Sequence, residues 1–429
     1  MSVAELYKLF VGSTGVCTDT RSIKEGNVFF ALKGPTFNGN QFAEKAILAG
    51  CSYAIVDEDV ESKLQDRIIQ VDDVLFTLQG LATYHRRNFK GLVIALTGSN
   101  GKTTSKELLA SVLSAKFRVS FTSGNLNNHI GVPLTLLKVN LEDEFAIIEM
   151  GANHQGEIDF LCNIAEPDFG LIVNIGKAHL EGFGGIEGVK KGKTEMYRFI
   201  STNAGKVFFN EDEPSLAEFR STLKDPICYG GNSRIRLISS SIIEKKLKVE
   251  LSINDESVEI YSNLFGAYNA NNMLTAAAIG SYFGVPVEVI KSSLEAYYPA
   301  NNRSQLLSTK AGNEVVLDAY NANPTSMKNA INEFQTICQG KGVMILGEMR
   351  ELGDESQFLH QEIIGIFDPS TEVYLVGEIY SSCSVSSQVR SFGNVNELCD
   401  YLTENPIRNR KVLLKGSRGV GLENVLPFI

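Results

Sequence analysis

The sequence predicts an α/β protein of three domains, built mainly on parallel sheets. At 429 residues the chain is too long for one ordinary core, and about 150 residues per domain gives about three domains. Short apolar strands alternate with helical stretches along most of it, as in parallel sheets covered by helices. One apolar strand, at 93–96, runs into a glycine-rich turn and a helix start.

Composition and charge exclude several classes of protein. Hydrophobic residues make up 43% and charged residues 21%, which is typical of globular proteins. No apolar run approaches the roughly 20 residues of a membrane span, and 1–5 lacks the layout of a signal peptide. We therefore expect a cytoplasmic protein, without membrane insertion and monomeric. A net charge of -10 argues against nucleic acid, and seven cysteines without CxxC spacing indicate reduced thiols.

Residues 1–88 are predicted to form a small α/β domain. Apolar runs at 28–32, 53–56 and 68–71 indicate strands, and helical stretches lie near 41–49 and 73–88. The most polar loop is 18–22, which from its residues alone is a turn with an ordinary Asp–Arg pair.

Residues 89–300 are predicted to form a doubly wound central domain. Strands at 93–96, 145–148 and 171–173 each end in polar residues, and ligands of open α/β sheets bind beyond such carboxyl ends. Alternating apolar residues at 235–264 indicate antiparallel strands attached to this domain, and 269–283 reads as a helix.

Residues 301–429 are predicted to form a third, Rossmann-like α/β domain with a mostly parallel sheet. The predicted strands are 315–317, 343–346, 373–376 and 412–414. The boundaries fall near 85–91 and 298–304, the second because Pro299 and the following Ala and Asn residues interrupt the pattern.

The turn after the strand at 93–96 has the residues of a phosphate-binding loop. Its glycines let the backbone approach an anion, Lys102 adds a positive charge, and the Thr103 hydroxyl can bind Mg²⁺ at a helix start. The general pattern has four residues between its glycines, whereas this turn has two. The predicted phosphate-binding residues are Gly98, Ser99, Asn100, Gly101, Lys102, Thr103 and Thr104.

Other polar positions allow functional and structural interpretations. Glu149 ends a strand and could supply the carboxylate that Mg²⁺ needs. His179 lies in a glycine-rich loop after a strand, and a structural or a catalytic role is equally consistent with that. Lys193, with its neighbouring lysines, could simply belong to a solvated basic face. The segments 266–272, 318–327 and 415–418 are dense in amide, hydroxyl and basic groups, which can cap helices or hold an anion.

Together these motifs resemble those of the Mur ligases of peptidoglycan synthesis, across all three domains. The shortened loop 97–104 is typical of Mur and folylpolyglutamate ligases, and 124–133, 149–151 and 174–181 are similar to the family's central motifs. The segments 320–324 and 346–349, with no Asp-Asn-Pro-Arg motif in the chain, favour the MurF type over the MurE type. Tyr268 and Leu317 depart from the family pattern, which often has His and Asp there.

The resemblance implies roles for individual residues. Lys193 would be carbamylated and, with His179, would bind a second Mg²⁺ beside the one on Thr103 and Glu149. The ATP-binding set would gain Asn269, Asn272, Arg303 and Asp318. The substrate-binding residues would be Thr20, Arg21 and Gly34 for the uridine nucleotide, with Asn125, Asn127, Asn128, Asn321, Asn323, Lys415 and Arg418.

The resemblance also implies a reaction, with Lys102, His179 and Lys193 as catalytic residues. UDP-N-acetylmuramoyl-tripeptide would be activated by ATP as an acyl phosphate and joined to D-alanyl-D-alanine. The alternatives are a MurE-like or folylpolyglutamate-like ligase and, from another class, a non-catalytic regulator that binds ATP.

Overall fold

The computed structural model describes residues 1–243, 246–300, 302–338, 341–386 and 388–429. Residue 301, with which the predicted third domain begins, lies outside them. Within the described residues, no helix combines the length and the apolar character needed to cross a lipid bilayer.

The N-terminal region forms a four-stranded parallel sheet with helices packed on it. In sheet order its strands are Val16–Cys17, Val28–Phe30, Tyr53–Val56 and Ile68–Gln70, and a small hairpin pairs Lys33–Gly34 with Phe37–Asn38. Its α-helices are Val3–Val11, Ala43–Leu48 and Val74–Asn88. The first helix is absent from the sequence prediction, although Ser2 and Glu5 form a capping box at its start.

The central region contains a six-stranded parallel sheet, as predicted. In sheet order its strands are Ile227–Tyr229, Lys206–Asn210, Phe169–Ile172, Leu92–Thr97, Phe145–Glu149 and Val119–Phe121. Its α-helices are Lys102–Ser114, Gly131–Leu136, Glu157–Ala165, Leu180–Phe183, Ile186–Lys193, Glu195–Thr202, Ala270–Tyr282 and Val287–Ala296. The strand before the glycine-rich turn lies between the strands that end near Glu149 and Asn174, so the three carboxyl ends meet at one edge.

A separate antiparallel sheet joins the central region, which confirms the prediction from alternating residues. Its strands are Ile235–Ile243, Lys246–Ile253 and Glu256–Ser262. One face is apolar and buried, and its Leu247, Val249 and Ile260 belong to the same hydrophobic core as the helix Ala270–Tyr282. That core also contains Leu109 of the helix after the glycine-rich turn, so the added sheet supports the helix from behind.

The C-terminal region has a six-stranded sheet that is parallel except at one edge. In sheet order its strands are Gln305–Ser308, Glu314–Asp318, Lys411–Lys415, Val343–Gly347, Glu372–Val376 and Val389–Phe392. Its α-helices are Pro324–Cys338, Ser356–Ile364 and Val395–Glu404. The first strand is antiparallel to its neighbour, and the sequence prediction lacked it.

The predicted boundary at residue 88 coincides with the end of a helix that contacts both neighbouring regions. His85 of the helix Val74–Asn88 makes a hydrogen bond with the Tyr7 hydroxyl of the N-terminal region at 3.1 Å. Its other ring nitrogen contacts the Val139 carbonyl of the central region at 2.8 Å. The division at 88 and 300 remains a prediction.

Candidate active site

A cavity of about 1130 Å³ lies between the central and C-terminal sheets. Many of its lining residues lie on loops that follow parallel strands in both regions, which is where open α/β sheets bind ligands, and others lie on helices, including Leu75 and Gln79 of the helix Val74–Asn88. Of the residues predicted from sequence, it is lined by Ser99, Asn100, Gly101, Lys102, Thr103, Thr104, Asn125, Asn127, Asn128, Glu149, His179, Asn269, Asn272, Arg303, Asp318, Asn321, Lys415 and Arg418.

The glycine-rich loop is held in a fixed shape by its neighbours. Gly101 has φ +76°, and a Cβ there would lie 2.7 Å from Asn272 Oδ1, so both backbone and packing require glycine. The side chain of Asn174 accepts from the Asn100 N–H at 2.9 Å and donates to the Asn100 carbonyl at 3.0 Å. The Ser99 N–H donates to the Asn174 carbonyl at 3.0 Å. The loop is therefore preorganised around the start of the helix Lys102–Ser114.

Lys102 folds back on the loop. Its Nζ donates to the carbonyls of Gly98 at 2.6 Å and Ser99 at 3.3 Å. Desolvation in the cleft lowers the pKa of Lys102 to about 8; the nearby charge of Glu149 opposes this shift and that of Arg303 adds to it. A phosphate group would offer the ammonium a stronger partner than these carbonyls.

Glu149 and Thr103 form a compact pair of oxygen ligands. The Thr103 hydroxyl donates to Glu149 Oε1 at 3.2 Å, and Asn127 Nδ2 donates to the same oxygen at 2.8 Å. Oε2 is buried without a hydrogen-bond partner, and the Lys106 ammonium is 3.8 Å from it. An unpartnered carboxylate oxygen beside a hydroxyl suits Mg²⁺, which prefers oxygen ligands, so the residues present fit the predicted metal.

His179 contacts a carboxylate of the C-terminal region. Its Nδ1 hydrogen-bonds to the Glu351 carboxylate, and this contact lowers the pKa of the Glu351 carboxyl. The Glu181 N–H donates to the Glu351 carbonyl at 3.4 Å. Sequence reasoning missed Glu351, although it follows the strand Val343–Gly347 in the same way that polar residues follow the central strands.

Lys193 is buried behind the cavity wall, with a side chain 1% exposed. Its Nζ donates to the Ala152 carbonyl at 3.4 Å and lies 5.3 Å from the centre of the Phe183 ring. Burial lowers its pKa well below the usual value for lysine; Lys102 adds to the shift, and Glu157 and Glu195 oppose it. Lys193 is therefore not part of a solvated basic face.

The predicted second metal site is not a preformed cluster. Across the described residues, no three His, Cys, Asp or Glu side chains are grouped so that they could hold a metal ion. Thr103 pairs with Glu149 and His179 pairs with Glu351, while Lys193 contacts neither pair.

Amide side chains form the floor of the cavity beside the loop. Asn269 donates to the Phe265 carbonyl at 2.7 Å and accepts from Asn272 Nδ2 at 2.8 Å, and Asn272 Oδ1 accepts from the Ser105 hydroxyl at 3.0 Å. Tyr268, where the family often has His, donates to or accepts from Ser304 at 3.3 Å. These bonds explain their burial whether or not a ligand is bound.

The C-terminal wall places basic groups opposite the loop. The guanidinium groups of Arg303 and Arg418 lie 3.8 and 5.3 Å from the centre of the Tyr320 ring. Lys415 pairs with Asp318 at 2.7 Å and donates to the Asn321 carbonyl at 3.3 Å. Cationic groups at this wall can attract an anionic ligand.

Asn323 connects the two walls rather than lining the cavity. Its Nδ2 donates to Asn100 Oδ1 at 2.7 Å, and its Oδ1 accepts from the Ser326 N–H at 2.9 Å. It therefore caps the helix Pro324–Cys338 and holds that helix against the phosphate loop.

The structure does not bring Thr20, Arg21 and Gly34 to this cavity. Arg21 pairs with Asp19 at 2.6 Å, and its side chain is 89% exposed. Gly34 lies under the ring of Phe37, where a Cβ would meet the ring at 2.3 Å. These positions belong to the outer part of the N-terminal region, and their role in binding stays a prediction.

Comparison with known proteins identifies the family. The Mur ligase middle domain matches residues 96–280, and the Mur ligase glutamate ligase domain matches residues 302–418. The UDP-N-acetylmuramoyl-tripeptide–D-alanyl-D-alanine ligase of Bacillus subtilis is 33% identical to the chain, over 96% of the chain and 92% of that protein. The chain belongs to the Mur ligase family. The ligase of the same name from Escherichia coli is 32% identical to the chain, over 98% of the chain and 95% of that protein.

Solved Mur ligase structures agree with the fold. MurF of Acinetobacter baumannii has a TM-score of 0.85 and 32% identity, covering 98% of the chain and 97% of that structure. MurF of Thermotoga maritima, solved in complex with ADP, has a TM-score of 0.84 and 27% identity, covering 97% of each chain. The predicted α/β class and the MurF-type resemblance are confirmed.

Proposed function

We propose that the chain is an ATP-dependent ligase that joins D-alanyl-D-alanine to UDP-N-acetylmuramoyl-tripeptide, releasing ADP and phosphate, in the cytoplasmic synthesis of peptidoglycan precursors. The supporting observation is the interdomain cavity, which unites a phosphate loop, an oxygen ligand pair and a basic wall. The relatives from Bacillus subtilis and Escherichia coli are named for this reaction.

ATP would bind with its phosphates on the loop. The backbone N–H groups at the start of the helix Lys102–Ser114 face the anion, and Lys102 exchanges its loop carbonyls for phosphate oxygens. Asn269 and Asn272 line the cavity beside the loop and would contact the nucleoside, and Arg303 would offer a further cation. Thr103 and Glu149 would hold Mg²⁺, which offsets the charge that accumulates on the phosphates.

The first chemical step is transfer of the γ-phosphoryl group to the terminal carboxylate of the tripeptide. A carboxylate oxygen attacks phosphorus as the bond to the β–γ bridging oxygen breaks, which gives an acyl phosphate and ADP. Both reactants are anions, so the ammonium of Lys102 lowers the repulsion between them. The rigid loop keeps the phosphate in one position while the carboxylate approaches.

The second step is attack of the D-alanyl-D-alanine amine on the activated carbonyl. The nitrogen bonds to carbon, the carbon–oxygen bond to phosphate breaks with its electrons going to phosphate, and the proton lost from the amine passes to the departing phosphate. We assign the carboxylate of the dipeptide to Lys415 and Arg418, with Asn321 beside them, because a guanidinium binds carboxylate through two parallel hydrogen bonds. Closure of the walls through Asn323 excludes water, which would otherwise hydrolyse the acyl phosphate.

We further propose that Lys193 is carbamylated and that, with His179, it would hold a second Mg²⁺. A carbamate forms only from a neutral amine and CO₂, and burial lowers the pKa of Lys193, which favours the neutral amine. Carbamylation would turn this amine into an anion that can bind a metal. A Lys193→Ala variant should lose most activity, while bicarbonate should raise the activity of a partly decarbamylated preparation. Full activity of Lys193→Ala, or no response to bicarbonate, removes this assignment.

The uridine end of the substrate would bind the N-terminal region through Thr20, Arg21 and Gly34. Among the residues that the structure describes, the Arg21 guanidinium pairs only with Asp19 at the surface, so an incoming phosphate or uracil can reach it. An Arg21→Ala variant should raise the KM for the UDP-substrate with little change in kcat, because these groups lie away from the reacting atoms. An unchanged KM would contradict the assignment.

Phosphate release from ATP tests the function. Purified chain is given ATP and Mg²⁺ with one of three carboxylate substrates: UDP-N-acetylmuramoyl-tripeptide, the corresponding dipeptide, or a folate. Each is combined with D-alanyl-D-alanine, single amino acids including glutamate, or no amine. Rapid phosphate release and an amide product only with D-alanyl-D-alanine support the proposal. Release with a single amino acid identifies a MurE-like ligase, and release with glutamate and a folate identifies a folylpolyglutamate-like ligase. ATP binding without any amide product identifies a regulator. Lys102→Ala serves as the inactive control.

A further inference from the structure

The loop after the strand Val343–Gly347 touches the central region at the loop that carries His179. Three contacts join them: the Glu351 carboxylate with His179 Nδ1, the Glu351 carbonyl with the Glu181 N–H at 3.4 Å, and Gly353 against the side chain of Glu181. This contact is separate from the Asn100–Asn323 bridge. It involves neither the phosphate loop 98–104 nor the basic residues Arg303, Lys415 and Arg418 of the C-terminal wall.

Both partners of the central contact have left-handed backbone conformations. His179 has φ +53° and Glu351 has φ +61°, conformations that residues other than glycine rarely adopt. Such conformations persist where the surroundings impose them and cluster at functional sites. Here they aim two side chains from different sheets at each other.

The Glu351 loop is itself held by a buried histidine. His360 Nε2 accepts from the Met349 N–H at 2.9 Å, and its Nδ1 contacts the Ser356 carbonyl at 2.7 Å. A carbonyl can only accept, so His360 is neutral with its proton on Nδ1. The backbone of the loop is therefore held at Met349, two residues before Glu351.

We propose that Glu351 is a positioning residue that sets the tautomer and the ring orientation of His179. A carboxylate accepts a hydrogen bond from the N–H on Nδ1, which leaves the lone pair on Nε2. Nε2 has no hydrogen-bond partner within the described parts of the chain, and His179 lines the cavity. Histidines that bind metals commonly donate their other N–H to a carboxylate in this way.

Glu351 comes from the C-terminal region, so the correct form of His179 depends on docking of that region. This inference rests on the proposed function, because His179 would bind the second metal there. The C-terminal region, which would bind D-alanyl-D-alanine, would thus also orient the His179 imidazole for the second chemical step. The metal affinity of the central region and the position of the C-terminal region are thereby coupled.

Two substitutions distinguish the effect of the Glu351 side chain from that of its left-handed backbone conformation. Glu351→Asn accepts a positive φ readily but is too short to reach His179, whereas Glu351→Gln keeps the length and an acceptor oxygen. Glu355→Gln is the matched control, because Glu355 lies on the same loop and, among the described residues, makes no hydrogen bond to the 179–181 loop. Thermal unfolding of each variant verifies that the fold is retained.

The first measurement is the tautomer of His179 by ¹⁵N NMR of histidine-labelled chain. A His179→Gln variant assigns the signal. The wild-type chain, Glu351→Gln and Glu355→Gln should show the proton on Nδ1, and Glu351→Asn should shift it toward Nε2. This readout needs neither metal nor substrate, so it remains valid if the ligase assay fails.

The second measurement is Mn²⁺ binding followed by water-proton relaxation. Loss of the carboxylate should weaken Mn²⁺ binding at the His179 site by about 10–100-fold in Glu351→Asn. Glu351→Gln should recover part of that affinity. The proposal is overturned if Glu351→Asn keeps both the wild-type tautomer and the wild-type Mn²⁺ affinity. Absence of ligase activity in the wild-type chain with these shifts intact would instead overturn the proposed function alone.

Discussion

The hydrogen bond between Asn323 and Asn100 joins the C-terminal wall to the phosphate loop, and its removal has a predictable cost. Asn323 Nδ2 donates to Asn100 Oδ1 at 2.7 Å. Asn323→Ser removes this bond, because serine is too short to span it, yet keeps an oxygen that can cap the helix Pro324–Cys338. The change therefore isolates the bridge from the cap.

The expected loss is that of one neutral, partly buried hydrogen bond, about 1 kcal/mol. A loss of that size reduces the fraction of closed molecules, and with it kcat/KM for D-alanyl-D-alanine, by about fivefold. The assay is phosphate release at saturating ATP and UDP-substrate. Asn323→Ala is the comparison: it should show the same kinetic loss and also lower the unfolding free energy by about 1 kcal/mol, because it lacks the cap.

A double-mutant cycle with Asn100→Ala measures the pair itself. Asn100 also lies in the phosphate loop, so its single substitution should reduce activity further than Asn323→Ser does. The two effects should nevertheless be less than additive, with a coupling energy of about 0.5–1.5 kcal/mol. Additivity within about 0.3 kcal/mol would mean that the bridge does not contribute to closure, and the reasoning would be refuted.

Three further predictions concern the loop, the metal pair and a buried histidine. Gly101→Ala, whose Cβ would lie 2.7 Å from Asn272 Oδ1, should abolish most ADP binding in calorimetry, whereas Gly284→Ala at a similar φ of +75° should leave it unchanged. Glu149→Gln should remove the Mg²⁺-dependent part of ATP binding and leave the Mg²⁺-independent part. Burial lowers the pKa of His360, so its contribution to stability is present above about pH 6.5 and is lost as pH falls. The unfolding free energy should therefore fall less steeply between about pH 7 and 5 in His360→Gln than in wild type, by up to about 1.4 kcal/mol per pH unit.

Each of these has an outcome that contradicts it. Equal ADP affinity in the two alanine variants would show that the left-handed turn and the Asn272 contact do not shape the loop. Unchanged Mg²⁺ dependence in Glu149→Gln would move the metal elsewhere. Parallel pH profiles for wild type and His360→Gln would show that His360 binds protons equally in the folded and unfolded chains.

The sequence was sufficient for those parts of the site in which local pattern and topology coincide. Lys102, Glu149 and His179 all follow apolar strands, and the parallel arrangement brings strand ends together. The same rule applied to the strand Val343–Gly347 would have found Glu351. It was missed because its partner lies 172 positions away, and nothing local marks a contact between two loops.

Other features depend on tertiary packing that a sequence pattern does not contain. Lys193 lies among lysines at a helical spacing typical of a solvated face, yet Phe183 and the Ala152 carbonyl cover it. Asn323 looks like an ordinary helix cap, and its second role exists only because the helix meets Asn100. In both cases the residue type would also fit an ordinary surface position. Its role therefore follows from what the tertiary fold packs against it.

The short turn between Gly98 and Gly101 also explains why asparagines surround it. Two residues between the glycines leave fewer backbone N–H groups to stabilise the loop from within than the longer pattern has. Asn174 and Asn323 supply hydrogen bonds to the loop from two separate elements, and Asn272 packs closely against Gly101. An amide fixes the loop without adding charge, so Lys102 and the helix start remain the dominant attraction for phosphate. Because Asn323 belongs to the wall that would bind the amine, the loop reaches its complete set of supports only when that wall is docked.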